Sequence, residues 1–255
     1  MDRLERRVAR SFAQAASVYA EHTPVQAQAR TRLCQRIDEH LHGPMQPWLD
    51  LGCGDAALAR QLQPGWGPGL LLDIAMPMLQ QARLQQDWPA LQASLHALPC
   101  RPGSLRAVFS NFALQWAAQP QHLMAELARA LQVGGWLAFA LPVAGSLTEL
   151  SAAWSQAGRP PPLRPLASSE QWLQAVRSAR LRLLHQEEAI LSSPHDDARA
   201  ALHALKHAGV GVYARPPGLL GRQAYARILE ALTAPDGHFT LSYRVLWLLA
   251  RKEQA

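Results

Sequence analysis

The sequence has few cysteines and no long apolar segment. Its three cysteines, Cys34, Cys53 and Cys100, show neither the spacing of metal ligands nor the pattern of a disulfide framework. A run of about 18 apolar residues, which a membrane-spanning helix needs, is missing. The first twenty residues contain no secretory apolar region, and the acids Asp2 and Glu5 argue against a transit peptide. These absences favour a reduced, cytoplasmic protein with no membrane contact and no bound metal.

Blocks of positive charge are also missing, although the chain as a whole is basic. The formal net charge is +6 and the isoelectric point is near 9.8. Lysine and arginine are dispersed and no aromatic–basic RNA motif is present, so we expect no nucleic-acid partner. A basic surface that only aids solubility and a surface that binds an acidic partner both remain open.

Apolar strands alternate with helices over the first 142 residues, in a chain of 255 residues that is 49% hydrophobic. Such alternation is typical of a parallel sheet that is covered on both faces. Predicted strands are "PWLDLGCG", 70–74, 91–95, 105–111 and 136–142. Predicted helices are 3–20, 24–42, "DAALARQL", "PMLQQARLQQ" and 121–132, the last of these closed by Gly134 and Gly135.

The alternation breaks after residue 142. A proline-rich loop follows at 158–166, and helices are predicted at 168–178, 194–208 and 221–233. A strand is possible at 180–190, and the alternating segment 238–252 predicts a closing strand. We therefore expect an α/β, Rossmann-like, doubly wound and mostly parallel sheet. Its expected parts are an N-terminal helical lid (1–43), a cofactor-binding core (44–142), a largely helical substrate-side insertion (143–237) and the closing strand (238–255).

The segment "WLDLGCGDAALARQL", residues 48–62, predicts a strand that enters a tight glycine turn. Gly52 and Gly54 allow the backbone to approach a ligand closely, and Asp73 ends the second strand, where a carboxylate can accept both hydroxyls of a ribose. A dinucleotide turn would place a third glycine at position 57, which is Ala57. The spacing therefore favours S-adenosylmethionine, and a turn that binds no ligand is the alternative.

Two segments carry a more specific resemblance. "SFAQAASVYAEHTPVQ" (11–26) and "FSNFALQW" (109–116) resemble the class I S-adenosylmethionine-dependent methyltransferases, and more narrowly the malonyl-(acyl carrier protein) O-methyltransferases of biotin synthesis. Further similar segments are "GSLTELSAAW", "LR" at 163–164, "ALHALKHAGV" and "LSYRVLWLLARKE".

The resemblance implies transfer of a methyl group from S-adenosylmethionine to the free carboxylate of malonyl-acyl carrier protein. That carboxylate is already ionised and the methyl group is already activated, so no strong base is expected, and rate would come from positioning and from excluding water. Arg164 is expected to hold the malonyl carboxylate, while Lys206 and Arg222 would dock the acidic carrier protein. The implied catalytic residues are Tyr19 and Asn111, and the implied cofactor-binding residues are Asp50, Gly52, Gly54, Asp73, Ser94, Leu95 and Asn111.

Three positions depart from the family pattern. Ala56 replaces a glycine of the turn, which costs about 1 kcal/mol if the residue there needs a positive φ. Ser94 replaces the acid that accepts from the adenine amino group, with an expected loss of about 1 kcal/mol. Arg106 replaces an acid in the fourth strand and receives no role. A methyltransferase for another small acid or metabolite, and a non-catalytic homologue that only binds or regulates, therefore remain alternatives.

Overall fold

The structure is a computed structural model that describes residues 3–62, 64–160, 163–208, 221–232 and 238–254. The strands are β1 (Trp48–Leu51), β2 (Leu70–Asp73), β3 (Ala90–Gln92), β4 (Leu105–Asn111), β5 (Leu131–Pro142), β6 (Leu181–His195) and β7 (Phe239–Lys252). The α-helices are α1 (Arg3–Ala15), α2 (Pro24–His40), α3 (Met76–Gln85), α4 (Pro120–Ala130), α5 (Thr148–Gln156), α6 (Ser169–Ser178), α7 (Ala198–His207) and α8 (Arg222–Leu232). Within these ranges, no helix is both long and apolar enough to cross a membrane.

Seven strands form one sheet in the order β3-β2-β1-β4-β5-β7-β6. Strands β1 to β5 pair in parallel, and β7 runs antiparallel between β5 and β6. The order reverses between β1 and β4, so a crevice opens at the carboxyl ends of these two strands. The expected doubly wound, mostly parallel sheet is confirmed.

Helices cover both faces of the sheet, which explains the almost wholly apolar central strands. Neighbouring residues of β4 point to opposite faces: Phe109 packs with Trp48 and Trp247 in one core, and Val108 packs with Leu127 in the other. Helix α2 is fixed to the first core by a hydrogen bond of 2.9 Å from the Trp247 indole Nε1 to the Ala29 carbonyl oxygen. This bond holds α2 against the sheet at the first core.

The predicted helix "DAALARQL" does not form. Residues after the glycine turn continue as turns and a short 3₁₀ segment, Ala59–Gln61. Ala56 has a φ of 61°, and a left-handed residue at this place cannot belong to a right-handed helix. The Asp55 carboxylate also accepts from the Ala57 N–H at 3.2 Å, a local bond that competes with helix formation.

Several predicted boundaries move for reasons of pairing and capping. Strand β5 begins directly after α4, so Gly134 and Gly135 lie within the strand rather than after a helix. Strand β6 continues to His195, because it pairs with β7 over its whole length. Helix α7 therefore begins at Ala198, where the Asp197 carboxylate accepts from the Ala200 N–H at 2.7 Å.

Smaller shifts affect the remaining predicted elements. The first predicted helix, 3–20, divides into α1 and a 3₁₀ segment at Tyr19–His22, and the strand predicted at 91–95 is the shorter β3. The end of the predicted helix 221–233, residues 161–162 of the proline-rich loop and residues 209–210 of "ALHALKHAGV" lie outside the described residues.

The insertion after β5 supplies helices α5 to α8 and the edge strand β6. The strand that was possible at 180–190 is thus present, and longer than predicted. Glu187 of β6 accepts hydrogen bonds from Arg32 and Arg36 of α2, the second with 2.9 Å between Nε and Oε2. These bonds join β6 of the insertion to α2.

Candidate active site

The glycine turn after β1 is hydrogen-bonded to β2 and lies at the crevice. The N–H groups of Gly52 and Cys53 both donate to the Leu72 carbonyl oxygen of β2, at 2.7 and 3.0 Å. Gly52 has a φ of 71°, and a Cβ added there would lie 2.2 Å from the Cβ of Ala113. Position 52 therefore accepts only glycine, on grounds of both conformation and space.

Ala56 takes the left-handed conformation that the family reserves for glycine. That conformation costs about 1–2 kcal/mol for an alanine. The residue is fully buried in the core, and burying its methyl group returns about 0.8 kcal/mol. Burial thus offsets part of the conformational cost, which helps to explain how the turn tolerates the substitution.

Asp73, at the end of β2, is buried and hydrogen-bonded to the turn. Its Oδ2 accepts from the Gly54 N–H at 3.0 Å and its Oδ1 accepts from the Ala75 N–H at 2.8 Å. Burial raises the pKa of this carboxyl, and hydrogen bonds from the backbone N–H groups of Ala75, Gly54 and Ile74 act in the opposite direction. A carboxylate accepts up to about four hydrogen bonds, and Asp73 lines an open cavity of about 680 Å³.

This cavity, here called the cofactor cavity, lies between the sheet and α1. Leu4, Val8 and Phe12, spaced by four residues along α1, form its outer wall. Leu51, Leu72, Ile74 and Leu95, from the strand ends, form its inner wall. The cavity is mostly apolar and is also lined by the carboxylates of Asp73 and Glu5, a combination that suits a nucleoside.

A smaller polar pocket of about 330 Å³ adjoins the turn and is lined by Asp50, Arg30, Tyr19 and Asn111. Within the described part of the chain, three of its buried polar atoms lack a hydrogen-bond partner: Asp50 Oδ1, Asn111 Oδ1 and Arg30 Nε. Two acceptors and a cationic donor are complementary to the ammonium and carboxylate of an amino acid. Together, the pocket and the cofactor cavity therefore fit S-adenosylmethionine, with its methionine end in the pocket.

Arg30 is a site residue that the sequence interpretation missed. It lies on α2 one turn after Gln26, whose carbonyl oxygen accepts from Asn111 Nδ2 at 3.1 Å. The spacing of Gln26 and Arg30 on one face of α2 was the available signal, because "SFAQAASVYAEHTPVQ" already marked Gln26.

Asp50, at the centre of β1, has an unusual acidity. Burial raises its pKa to about 7; a hydrogen bond from the Ala59 N–H lowers it, the nearby Asp73 and Asp55 raise it, and Arg30 lowers it. Asp50 Oδ2 accepts that bond at 3.2 Å, while Oδ1 faces no partner. The positive charge of a ligand ammonium group at Oδ1 would stabilise the ionised form of Asp50.

A second open cavity, of about 1150 Å³, lies beside the first and is here called the acceptor cavity. Phe12, Tyr19, Phe112 and Trp116 line both cavities and form the partition between them. Arg164 also lines the acceptor cavity, and its buried Nη1 has no hydrogen-bond partner among the residues that the structure describes. A guanidinium in this state is suited to bind an anion.

Tyr19 stands where the two cavities and the polar pocket meet. Its ring carbon Cε1 lies 3.7 Å from the position that a Cβ on Gly54 would take. The ring also meets Phe12 edge-to-face at 6.0 Å, and Phe12 meets Trp116 at 5.6 Å. Burial, more than the nearby Asp55 and Asp73, raises the pKa of Tyr19, so its hydroxyl remains protonated at neutral pH.

The other predicted site residues divide into two groups. Leu95 lines the cofactor cavity, and Ser94 beside it donates its hydroxyl hydrogen to the Glu5 carboxylate of α1. Lys206 on α7 and Arg222 at the start of α8 are exposed and line neither cavity. Their predicted role is docking, so a place outside the cavities is compatible with it.

The sheet order, the glycine turn at its switch point and the carboxylate at the end of β2 define a class I methyltransferase. Residues 49–139 match the family model described as a methyltransferase domain. The structure of geranyl diphosphate methyltransferase in complex with S-adenosylmethionine has the same fold, with a TM-score of 0.54 and 17% identity over 89% of this chain and 85% of that one.

Relatives that match nearly the whole chain identify the family within this class of methyltransferases. The malonyl-(acyl-carrier protein) O-methyltransferase of Alcanivorax borkumensis is 34% identical, over 96% of this chain and 86% of that protein. The enzyme of the same name from Herminiimonas arsenicoxydans is 31% identical, over 96% of this chain and 95% of that protein. The chain belongs to the malonyl-(acyl-carrier protein) O-methyltransferase family.

The packing of the turn predicts different costs for alanine at two glycines. Gly52 and Gly103 have similar positive φ values, 71° and 65°, but a Cβ at position 103 meets nothing within 4 Å. Gly103→Ala is expected to lower the free energy of unfolding by about 1–2 kcal/mol through conformation alone. Gly52→Ala is expected to cost about 1–3 kcal/mol more through overlap with Ala113. Urea unfolding measures both, and equal losses would contradict the described packing.

The raised pKa of Asp50 predicts a pH dependence of stability. Unfolded aspartate titrates near about 3.9, and the folded residue titrates near about 7. Between these values the folded state keeps a proton that the unfolded state releases, so stability falls as pH rises. From pH 5 to pH 8, the wild-type protein without ligand is expected to lose roughly 2.5 kcal/mol more than Asp50→Asn. Urea unfolding at both pH values checks this, and parallel losses in the two proteins would rule it out.

Proposed function

We propose that this chain transfers a methyl group from S-adenosylmethionine to the free carboxylate of malonyl-acyl carrier protein in the cytoplasm. The product would be the malonyl methyl ester that the family resemblance links to biotin synthesis. The observation that carries the proposal is the buried, unpartnered Nη1 of Arg164 in a cavity that adjoins the cofactor cavity. A carboxylate substrate would supply the missing partner.

The cofactor would be held by groups from the strand ends and from α2. Asp73 would accept the ribose hydroxyls, as the sequence predicted. Asp50 and Asn111 would accept from the ammonium group, and Arg30 would bind the carboxylate of the methionine end. When bound, S-adenosylmethionine supplies a methyl group activated by a sulfonium.

The chain's own contribution to the reaction would be positioning. Arg164 would hold one oxygen of the malonyl carboxylate and leave the other oxygen as the nucleophile, because pairing both would weaken it. Tyr19, Phe12 and Trp116, which separate the two cavities, would exclude water along the line of transfer. An ionised carboxylate needs no general base, and the proposal assigns none.

The carrier protein would dock on basic residues outside the cavities. Lys206 and Arg222 are exposed on α7 and α8, and Ala208, directly after α7, lines the acceptor cavity. A carrier bound near the end of α7 could therefore direct its malonyl arm into the cavity. Such binding is electrostatic and should weaken as salt concentration rises.

Mass spectrometry of the carrier tests the proposed function. The chain is incubated with S-adenosylmethionine and malonyl-acyl carrier protein, and the carrier is expected to gain one methyl group. Succinyl-acyl carrier protein and free malonate serve as comparison substrates. Methylation of free malonate alone would favour a methyltransferase for a small acid, and binding of the cofactor without any transfer would favour a non-catalytic homologue.

Arg164 is expected to affect the kinetics for the malonyl-carrier but not the affinity for S-adenosylmethionine. Arg164→Met should raise KM or lower kcat for the malonyl-carrier by about 10-fold or more, since it removes a hydrogen bond to a charged group. S-adenosylmethionine affinity, measured by calorimetry, should stay unchanged. Arg159→Met, which changes an exposed arginine near the same loop, is the matched control. Wild-type kinetics in the Arg164 variant would remove the role.

A further inference from the structure

Ser94 occupies the place of an acid in the family pattern, but its hydroxyl is already engaged. The Oγ donates its hydrogen to the Glu5 carboxylate and accepts from the His96 N–H at 3.0 Å. A serine hydroxyl has one hydrogen and two acceptor lone pairs. Ser94 is therefore poorly placed to replace the missing acid by itself. Instead, it holds in position a carboxylate from another element.

That carboxylate reaches the cofactor cavity from α1. Glu5 lines the cavity together with Ile74 and Leu95. Leu4 is adjacent to Glu5 in sequence, and Leu4, Val8 and Phe12 form the cavity's outer wall. Arg3, Arg6, Arg7 and Arg10 are all exposed, so the single acid of this helix is partly buried while its basic residues face solvent.

The geometry of the strand ends places Glu5 near the base of a bound nucleoside. Asp73 of β2 pairs with Gln92 of β3, so the two strands end side by side. A ribose on Asp73 would direct its base away from the polar pocket and toward the end of β3, where Ile74 and Leu95 form apolar walls. Glu5 lines the cavity with these residues, and Ser94, which binds Glu5, is adjacent to Leu95 in sequence.

We propose that Glu5 is the residue that recognises adenine, accepting a hydrogen bond from its 6-amino group while Ser94 fixes the carboxylate. This rests on the proposed use of S-adenosylmethionine. Base recognition has thus moved from the sheet to the lid helix in this chain. A carboxylate accepts up to about four hydrogen bonds, so it can serve Ser94 and the amino group together.

The position of Glu5 links cofactor recognition to the acceptor site. The same helix contributes Phe12 to the partition between the two cavities. A cofactor that binds Glu5 would therefore also hold Phe12 in place at the wall of the acceptor cavity.

Two ligands that differ only in the base test the role of Glu5. S-adenosylhomocysteine carries the 6-amino donor, and S-inosylhomocysteine carries a carbonyl oxygen in its place. Wild-type protein is expected to bind the adenosyl ligand at least about 10-fold more tightly, because a carboxylate attracts the amino group and repels the carbonyl. Glu5→Gln should bring the two affinities to within about 3-fold, because an amide both accepts and donates. Calorimetry measures all four affinities.

A control and a rescue make the result specific. Glu21→Gln changes an exposed acid of the neighbouring 3₁₀ segment and should keep the wild-type preference. Ser94→Asp combined with Glu5→Gln returns a carboxylate to the family position and should restore the preference for the adenosyl ligand.

Each outcome bears on a separate part of the proposal. If Glu5→Gln keeps the wild-type preference, Glu5 does not recognise the base, although the proposed function stands. If the wild-type protein binds S-adenosylhomocysteine without preferring it over the inosyl ligand, the role of Glu5 is likewise overturned. If the folded wild-type protein binds neither ligand, the proposed function fails as well.

Discussion

The hydrogen bond between the Gly54 N–H and the Asp73 carboxylate is the contact on which the site depends. It joins the turn after β1 to the end of β2, and the Ala75 N–H holds the other oxygen of the same carboxylate. Burial penalises the charge of Asp73, and these two bonds compensate for part of that penalty. The carboxylate is therefore fixed before any ligand arrives, so binding need not first order it.

The turn keeps its shape through left-handed residues at every second position. Gly52, Gly54 and Ala56 have φ values of 71°, 55° and 61°. Each of these residues interrupts helical geometry. The backbone therefore stays close to the cavity, and regular structure begins only at the short 3₁₀ segment. The absence of a helix here and the survival of the turn with alanine at position 56 therefore have the same origin.

Sequence patterns were sufficient for the part of the site that lies on the sheet. The carboxyl ends of parallel strands meet at one edge, so Asp73, Gly52 and Asn111 were expected to lie together, and they do. Arg30 and Glu5 were not foreseen, because each is a polar residue on a helix whose orientation depends on tertiary contacts. The Trp247 bond to Ala29 and the packing of Phe12 on Trp116 decide that orientation, and neither contact is visible in local sequence.

The site is thus assembled from two parts of the chain. The sheet supplies Asp50, Asp73 and Asn111 on strands that are packed on both faces. The segment before β1 supplies Tyr19, Arg30 and walls of both cavities. Under the proposed function, a cofactor that contacts both parts would hold them together beside the acceptor cavity. The helices before β1 are therefore part of the candidate active site. Their contribution explains why a turn with alanine in place of one glycine can still form part of such a site.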